Sequence, residues 1–499
     1  MMDRAGLEAY LRLSEGEMPP VFKGREDILA ALRDCGEWTR QFIQESDHTK
    51  PQVRLRGIPK ITQIVQGAPG AGKSSILAKL QEECDASKDN PSPRVLIVSS
   101  QDVIQDTSKV ISLVGVAGGL STKKWRALPH RISLGLSVSQ IVNVTGELDW
   151  ARRDLTSMKT LRDLMDVFPL AQWTAPVIVA VDEAQRLRGE VDTPPAQFLQ
   201  SIHDASSGLP LVLVLAGLSD TRDRAVDIGL TRGLTIHNVS CLSQPECEEL
   251  MVEFCQKFGV DPSGCEPRLH DLATPTEGWP RHLHFMFKAF AKELLCTNGD
   301  LAKVRWDQVQ TVSAQGRLSY YQHQQNSTFL ALKPLIGAVM EDVREGDGFK
   351  TITNSIRHHV VPDMLDDLPD GMRDIRGFPR QLVEEMIHQG ALQEYEPDRF
   401  FSPIPSFRAH LIKEGIMDPS RSLPPCAPFR LYYGTILNEE KDGFESYGEA
   451  RAWALEKLTH MSDAEDISLW YGDIVLETLR LAMPALSKPG DGEDPSFGL

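Results

Sequence analysis

Residues Gly67-Ala68-Pro69-Gly70-Ala71-Gly72-Lys73-Ser74 fit the pattern G-x-x-x-x-G-K-[ST], and no other stretch constrains this chain so tightly. An apolar run (residues 61–66) precedes it and a helical pattern follows. That context suits a loop whose backbone N–H groups curl around phosphates at a helix N-terminus. Small residues let the backbone approach. The Lys73 ammonium would reach the β- and γ-phosphate oxygens and the Ser74 hydroxyl would ligate Mg²⁺. Gly67, Ala68, Pro69, Gly70, Ala71, Gly72, Lys73, Ser74 and Ser75 are therefore the candidate nucleotide-binding residues.

A second element complements the first. Residues 177–181 form a continuous apolar run ending in Asp182-Glu183. Two carboxylates at the end of a buried strand are costly unless compensated, and Mg²⁺ is the natural partner. Asp182 is the candidate metal ligand beside Ser74, and Glu183 the candidate that orients an attacking water in phosphoryl transfer. The pair predicts an ATPase core that uses ATP and Mg²⁺. Further apolar runs at 95–99 and 211–216 alternate with amphipathic helices, the pattern of a parallel sheet buried on both faces.

Composition narrows the partners. Across 499 residues, 53 Lys+Arg face 70 Asp+Glu, a formal net charge of −17, which disfavours a chain held mainly by the DNA backbone. The longest apolar run, near residues 209–218, is about half of what spans a bilayer. With no signal-peptide pattern at the N-terminus, the expectation is a cytoplasmic protein without a membrane partner. The 8 cysteines lack zinc or redox spacing and read as reduced core thiols.

Asp182-Glu183-Ala184-Gln185-Arg186-Leu187 resembles the AAA+ and STAND branches of P-loop ATPases, and most of all the origin-recognition type and related bacterial AAA proteins. Val21-Phe22-Lys23-Gly24-Arg25-Glu26 resembles the F-x-G-R-E box, which implies that Phe22 and Arg25 line the adenine pocket. The stretch after residue 216 resembles a sensor-1 strand, with Ser219 as the polar residue and Thr221 as a fallback, although the asparagine of many members is missing. Gly278-Trp279-Pro280-Arg281-His282 resembles the start of a lid helix bearing the sensor-2 arginine, Arg281. Arg232 stands where such ATPases place an arginine finger for a neighbour's nucleotide, with Arg222 and Arg224 competing for the role. The finger implies a homo-oligomer through the ATPase domains.

These readings divide the chain into an N-terminal segment (1–20), a nucleotide-binding core (21–240, with an insertion at about 102–172), a helical lid (241–320), a winged-helix-like domain (328–412), a small α/β domain (428–486) and a disordered tail (488–499). The fold class expected is α/β: an AAA+-like P-loop NTPase sheet with a helical lid, a winged-helix-like domain and a small C-terminal α/β domain. The insertion is expected to carry a hairpin at 132–138 and 141–145, headed by Lys123, Lys124, Trp125, Arg126, His130 and Arg131. The last domain is expected to run strand (429–433), helix (447–458), strand (466–471), helix (474–481). Glu384 and Glu385 on the expected recognition helix suit packing against protein better than phosphate contact. The expected function is an ATP-hydrolysing switch that oligomerises and signals to a protein partner, in mobile-element biology or anti-phage defence. The alternative is a DNA-binding replication or transposition loader.

Overall fold

The computed structural model describes residues 2–13, 19–45, 62–87, 92–119, 173–187, 193–205, 210–324, 332–359 and 377–404, with shorter pieces of 407–480. The expected hairpin in the insertion, its basic-aromatic head and the tail at 488–499 lie outside the described residues. The chain divides into two compact units, Met1–Leu330 with Asp374–Pro405, and Ala331–Arg373 with Ser406–Leu499.

The first unit opens with helix α1 (Arg4–Arg12) and helix α2 (Glu26–Glu45). Strand β1 (Thr62–Gln66) leads through the glycine-rich loop into α3 (Lys73–Ala86). Strand β2 (Arg94–Ser99) is followed by α4 (Ser100–Gln105) and α5 (Thr107–Ala117), so the insertion begins as helix. Then come β3 (Val177–Asp182), α6 (Pro194–Ala205), β4 (Leu211–Gly217), α7 (Thr221–Asp227) and β5 (Leu234–Asn238). The five strands form one parallel sheet in the order β2-β3-β4-β1-β5. Every residue of β4 is buried, as a strand covered by helices on both faces requires. Strand β5, which the apolar runs did not announce, sits at the edge and is only half covered.

β1 is buried throughout yet carries Thr62, Gln63 and Gln66, and each of these side chains makes a hydrogen bond, although Gln66 Oε1 has none among the described residues. Thr62 Oγ1 meets His203 Nδ1 at 2.8 Å and Gln63 Oε1 meets His237 Nε2 at 2.7 Å. Gln66 Nε2 donates to Asn238 Oδ1 at 2.9 Å. Pairing of this kind offsets the cost of burying polar groups.

The lid comprises α8 (Gln244–Lys257), α9 (Glu266–Ala273), α10 (Pro280–Thr297) and α11 (Trp306–Gln324). Their apolar faces share a second core. Leu7 and Tyr10 of α1 belong to it, with Tyr10 edge-on to Phe254 at 5.5 Å, so the N-terminal segment is a piece of the lid's packing rather than a separate part. Burying such a ring contributes about 2–3 kcal/mol.

The second unit holds α12 (Lys333–Asp342), α13 (Phe349–His359) and an antiparallel sheet. Between them and that sheet the chain returns to the first unit as α14 (Phe378–His388) and a hairpin of β6 (Gln393–Glu396) and β7 (Arg399–Phe401). The sheet of the second unit consists of β8 (Phe429–Tyr433), β9 (Ile436–Lys441), β10 (Asp466–Tyr471) and β11 (Ile474–Arg480), ordered β11-β10-β8-β9. The stretch expected as one winged-helix-like domain, 328–412, is therefore shared between the two units. The expected helix at 474–481 is a strand. Tyr471 pairs with Ile474 across two intervening residues, Gly472 and Asp473, a tight-hairpin length that returns the chain antiparallel. No helix among the described residues is long and apolar enough to cross a membrane.

Candidate functional site

Because β1, β3 and β4 are parallel, their carboxyl ends lie at one edge of the sheet, where open α/β sheets place ligands. The glycine-rich loop leaves β1 there, and Asp182-Glu183 leave β3. Gly72 caps α3 at φ 95°, a conformation that disfavours any side chain. Lys73 Nζ donates to Gly67 O at 2.8 Å and Ala68 O at 3.0 Å, inside the curl of the loop. Burial lowers the Lys73 pKa to about 8, against the opposing pull of Asp182 and Glu183.

Ser74 Oγ donates to Asp182 Oδ2 at 2.7 Å, bringing together the two candidate metal ligands from 108 residues apart. A hydroxyl and a carboxylate at that separation are hard oxygen donors of the sort Mg²⁺ takes, so the residues present fit the ion. The other carboxylate oxygen, Asp182 Oδ1, accepts from Glu183 N at 2.8 Å. Glu183 stands at φ 55°, left-handed, a conformation that costs roughly 1–2 kcal/mol for a residue with a side chain. Strain of this sort persists where the surroundings over-determine it and clusters at functional sites. The Glu183 carboxylate is 45% exposed and pairs with Arg186 Nη1 at 3.1 Å.

β4 ends beside the loop, and Gly67 N donates to Gly217 O at 3.2 Å. A side chain at Gly217 would collide with Thr221 Oγ1 and with Gln185, whose Oε1 accepts from Leu218 N at 3.3 Å. Ser219 follows, 2% exposed, its Oγ without a hydrogen bond among the described residues. Neighbouring Asp220 is buried as well. Its Oδ2 lies 3.5 Å from Arg224 Nε and 3.5 Å from His388 Nε2, ion-pair contacts rather than hydrogen bonds. Arg224 also reaches Glu384 Oε2 at 3.3 Å, so it is engaged within its own chain.

On the lid side, Arg281 lies in the first turn of α10 with its guanidinium carbon 5.1 Å from the Phe285 ring and 5.5 Å from the Tyr320 ring. Arg25 also ties two segments of backbone together. Its guanidinium donates to Gly24 O at 2.7 Å and to Ser240 O, tying the start of α2 to the chain beyond β5. Phe22, Arg25 and Ser75 line a recess of about 540 Å³, counting its open mouth, together with Tyr10, Leu283 and Phe287. It adjoins Ala71 and Gly72 and is mostly apolar, a fit for a planar base. Arg232 is exposed and precedes β5, whose Leu234 pairs with Thr62 at the start of β1. It therefore lies at the edge of the sheet opposite the glycine-rich loop. Motif reading missed Tyr320 and Gln393, whose partners at Ala68 and Pro69 are distant in sequence.

No family model and no curated protein sequence matches the chain. Among solved structures it is similar to the ORC2 protein of Aeropyrum pernix in ADPNP–ADP complexes, at 12% identity and a TM-score of 0.40, covering 81% of this chain and 95% of that one. A Walker-type ATPase of Pyrococcus abyssi is similar at 15% identity and a TM-score of 0.41, covering 81% and 99%. The RuvB Holliday junction branch migration motor of Thermotoga maritima is similar at 14% identity and a TM-score of 0.35, covering 81% and 98%. The five-stranded parallel order, the glycine-rich loop that leaves β1 and the acidic end of β3 give a parallel α/β core of the P-loop kind, followed by a bundle of helices.

Proposed function

We propose that this chain binds and hydrolyses ATP with Mg²⁺, and that it works as an oligomeric switch coupled to a protein partner. The observation that carries the reading is the meeting of Ser74, Asp182 and Glu183 at one end of the sheet, with Lys73 inside the loop between them. Mg²⁺, when bound, would neutralise phosphate charge during transfer. Ser74 and Asp182 would hold it. The loop's N–H groups and Lys73 would bind and orient the phosphates, and the recess at Phe22 and Phe287 would take the base. Glu183, released from Arg186, would accept a proton from an attacking water. Arg281, held over Phe285 and Tyr320, is the lid's candidate for the γ-phosphate.

Arg232, exposed at the far edge of the sheet, supports an arginine supplied in trans. The acidic balance of the chain and the engagement of Glu384 with Arg224 support a protein output over a DNA one. ATP turnover measured against protein concentration, with and without duplex DNA, tests this. Specific activity that rises with concentration and ignores DNA supports the switch. Activity that is independent of concentration removes the trans arginine, and salt-sensitive stimulation by duplex DNA replaces the switch with a loader.

A further inference from the structure

The outer lip of the phosphate loop, Ala68-Pro69, is held by two side chains that arrive from far along the chain. Tyr320 Oη, on α11 of the lid, donates to Pro69 O at 2.8 Å across 251 residues. Gln393 Oε1, on β6, accepts from Ala68 N at 3.0 Å across 325 residues. The remaining polar groups of the dipeptide are also accounted for. Ala68 O accepts from Lys73 Nζ at 3.0 Å and from Ala71 N at 3.2 Å, and proline has no N–H.

Both tethers are built in rather than incidental. Gln393 is 2% exposed and Tyr320 7%. The Tyr320 ring also forms one wall beside Arg281, at 5.5 Å. β6 is fixed to the sheet independently, because Asn238 Nδ2 donates to Tyr395 O at 2.8 Å. The turn before β6 packs on the same proline, where a Cβ at Gly390 would come within 3.1 Å of Pro69 Cδ.

We propose that Tyr320 and Gln393 are positioning residues for nucleotide binding, which preorganise the phosphate loop without touching the nucleotide. A loop whose lip is already fixed loses less conformational freedom when phosphates enter it, and preorganisation of that sort appears as affinity. The two tethers act on one dipeptide, so loss of either frees it and loss of the second adds less. The inference rests on the ATP reading for its effect on affinity, but the tethering itself does not.

The test uses the full-length protein with Tyr320→Phe, Gln393→Met and the double variant, with the thermal midpoint measured beside affinity because Gln393→Met leaves the buried Ala68 N–H without its acceptor. ATP affinity by calorimetry should fall about 3- to 10-fold in each single variant, the size of one net hydrogen bond. The double variant should lose less than the product of the two. Turnover at saturating ATP should fall less than affinity does, because Tyr320→Phe keeps the ring beside Arg281 and neither variant removes a group placed on the γ-phosphate. Without nucleotide, amide hydrogen exchange in residues 67–72 should accelerate in all three. Unchanged affinity together with unchanged exchange in this loop overturns the proposal, as does a double variant whose loss equals the product. If the wild type bound no ATP, the functional reading would fall, and the exchange measurement would still uphold or overturn the tethering.

Discussion

The two flanks of the site are built on opposite principles. On the β1–β3 flank the polar groups of the loop and of the end of β3 satisfy one another, Ser74 with Asp182, Asp182 with the Glu183 amide and Lys73 with the loop carbonyls, and Gln66 Oε1 alone is left without a hydrogen bond among the described residues. On the β4 flank they do not. Ser219 Oγ and both carboxylate oxygens of Asp220 are buried without a hydrogen bond among the described residues, with Arg224 and His388 at ion-pair distance. Buried unsatisfied groups are expensive, so they persist where something else holds them in place. The first flank is a finished cradle that a nucleotide can enter. The second is a junction between the core and α14, in which Asp220 meets Arg224 four residues on and His388 from far along the chain.

The sharpest way to break this comparison is Glu183→Gln. Its backbone is already held by Asp182 Oδ1, so the variant keeps the fold and ATP binding. Turnover should fall by about 10²- to 10⁴-fold, the usual share of a general base. Steady-state ATPase assays beside a binding titration check both halves, and normal turnover would remove Glu183 from its role.

Lys73→Ala tests the cradle through charge. Losing two or more charge-assisted contacts should weaken ATP binding on the order of 100-fold. A pH dependence follows from the lowered pKa of about 8. Phosphates beside the ammonium raise its pKa in the complex, so binding above pH 8 takes up a proton. ATP affinity should then fall as pH rises past about 8, by up to tenfold per unit, and Lys73→Ala should abolish that slope. The sign for stability is the reverse. Between about 8 and the unfolded value of 10.5 the unfolded chain binds more protons, so the ligand-free protein gains stability as pH rises through that window. Calorimetry in buffers of different ionisation enthalpy reads the proton uptake directly.

Asp220→Asn probes the other flank. Removing one partner from a partly buried pair leaves Arg224 to Asp227 and Glu384 alone, at 3.8 and 3.3 Å. A stability loss of about 1 kcal/mol, read as a lower urea midpoint, is expected with ATP affinity unchanged. A tenfold fall in affinity at unaltered stability would make Asp220 part of the nucleotide site and erase the contrast between the flanks.

The same contrast separates what is legible in the amino-acid sequence from what is not. Four of the five strands of the parallel sheet declare themselves as apolar runs, and the Gly67–Ser74 pattern together with Asp182-Glu183 specifies the first flank. Its chemistry is local: each residue sits close to a strand end or at the helix start that follows it. Tyr320 and Gln393 have no such signature, because only the packing of lid and hairpin brings them to Ala68-Pro69. Arg25 shows the same limit, since its motif marks the position while its actual partners, the carbonyls of Gly24 and Ser240, depend on how the chain returns from β5. In the second unit, β9 and β11 escape sequence reading for a shared reason. β9 carries Asn438, Glu439, Glu440 and Lys441, types depleted in strands, and β11 carries Leu476, Glu477, Leu479 and Arg480, good helix formers, so in both antiparallel pairing overrides local propensity.

The smallest expected effect concerns Arg186, where the finished flank meets solvent. In the proposed mechanism Glu183 would leave Arg186 to orient water, and the pair is exposed on both sides, 57% and 45%. Exposed pairs are worth about 0.2–1 kcal/mol, so Arg186→Ala should raise turnover by no more than about 5-fold. Added salt should shrink the difference between wild type and variant, since screening weakens the pair in the wild type alone. A fall in turnover would reverse the assignment. Arg186 would then help to place Glu183 rather than to withhold it, and the left-handed turn at φ 55° would be aimed by the guanidinium as well as by Asp182.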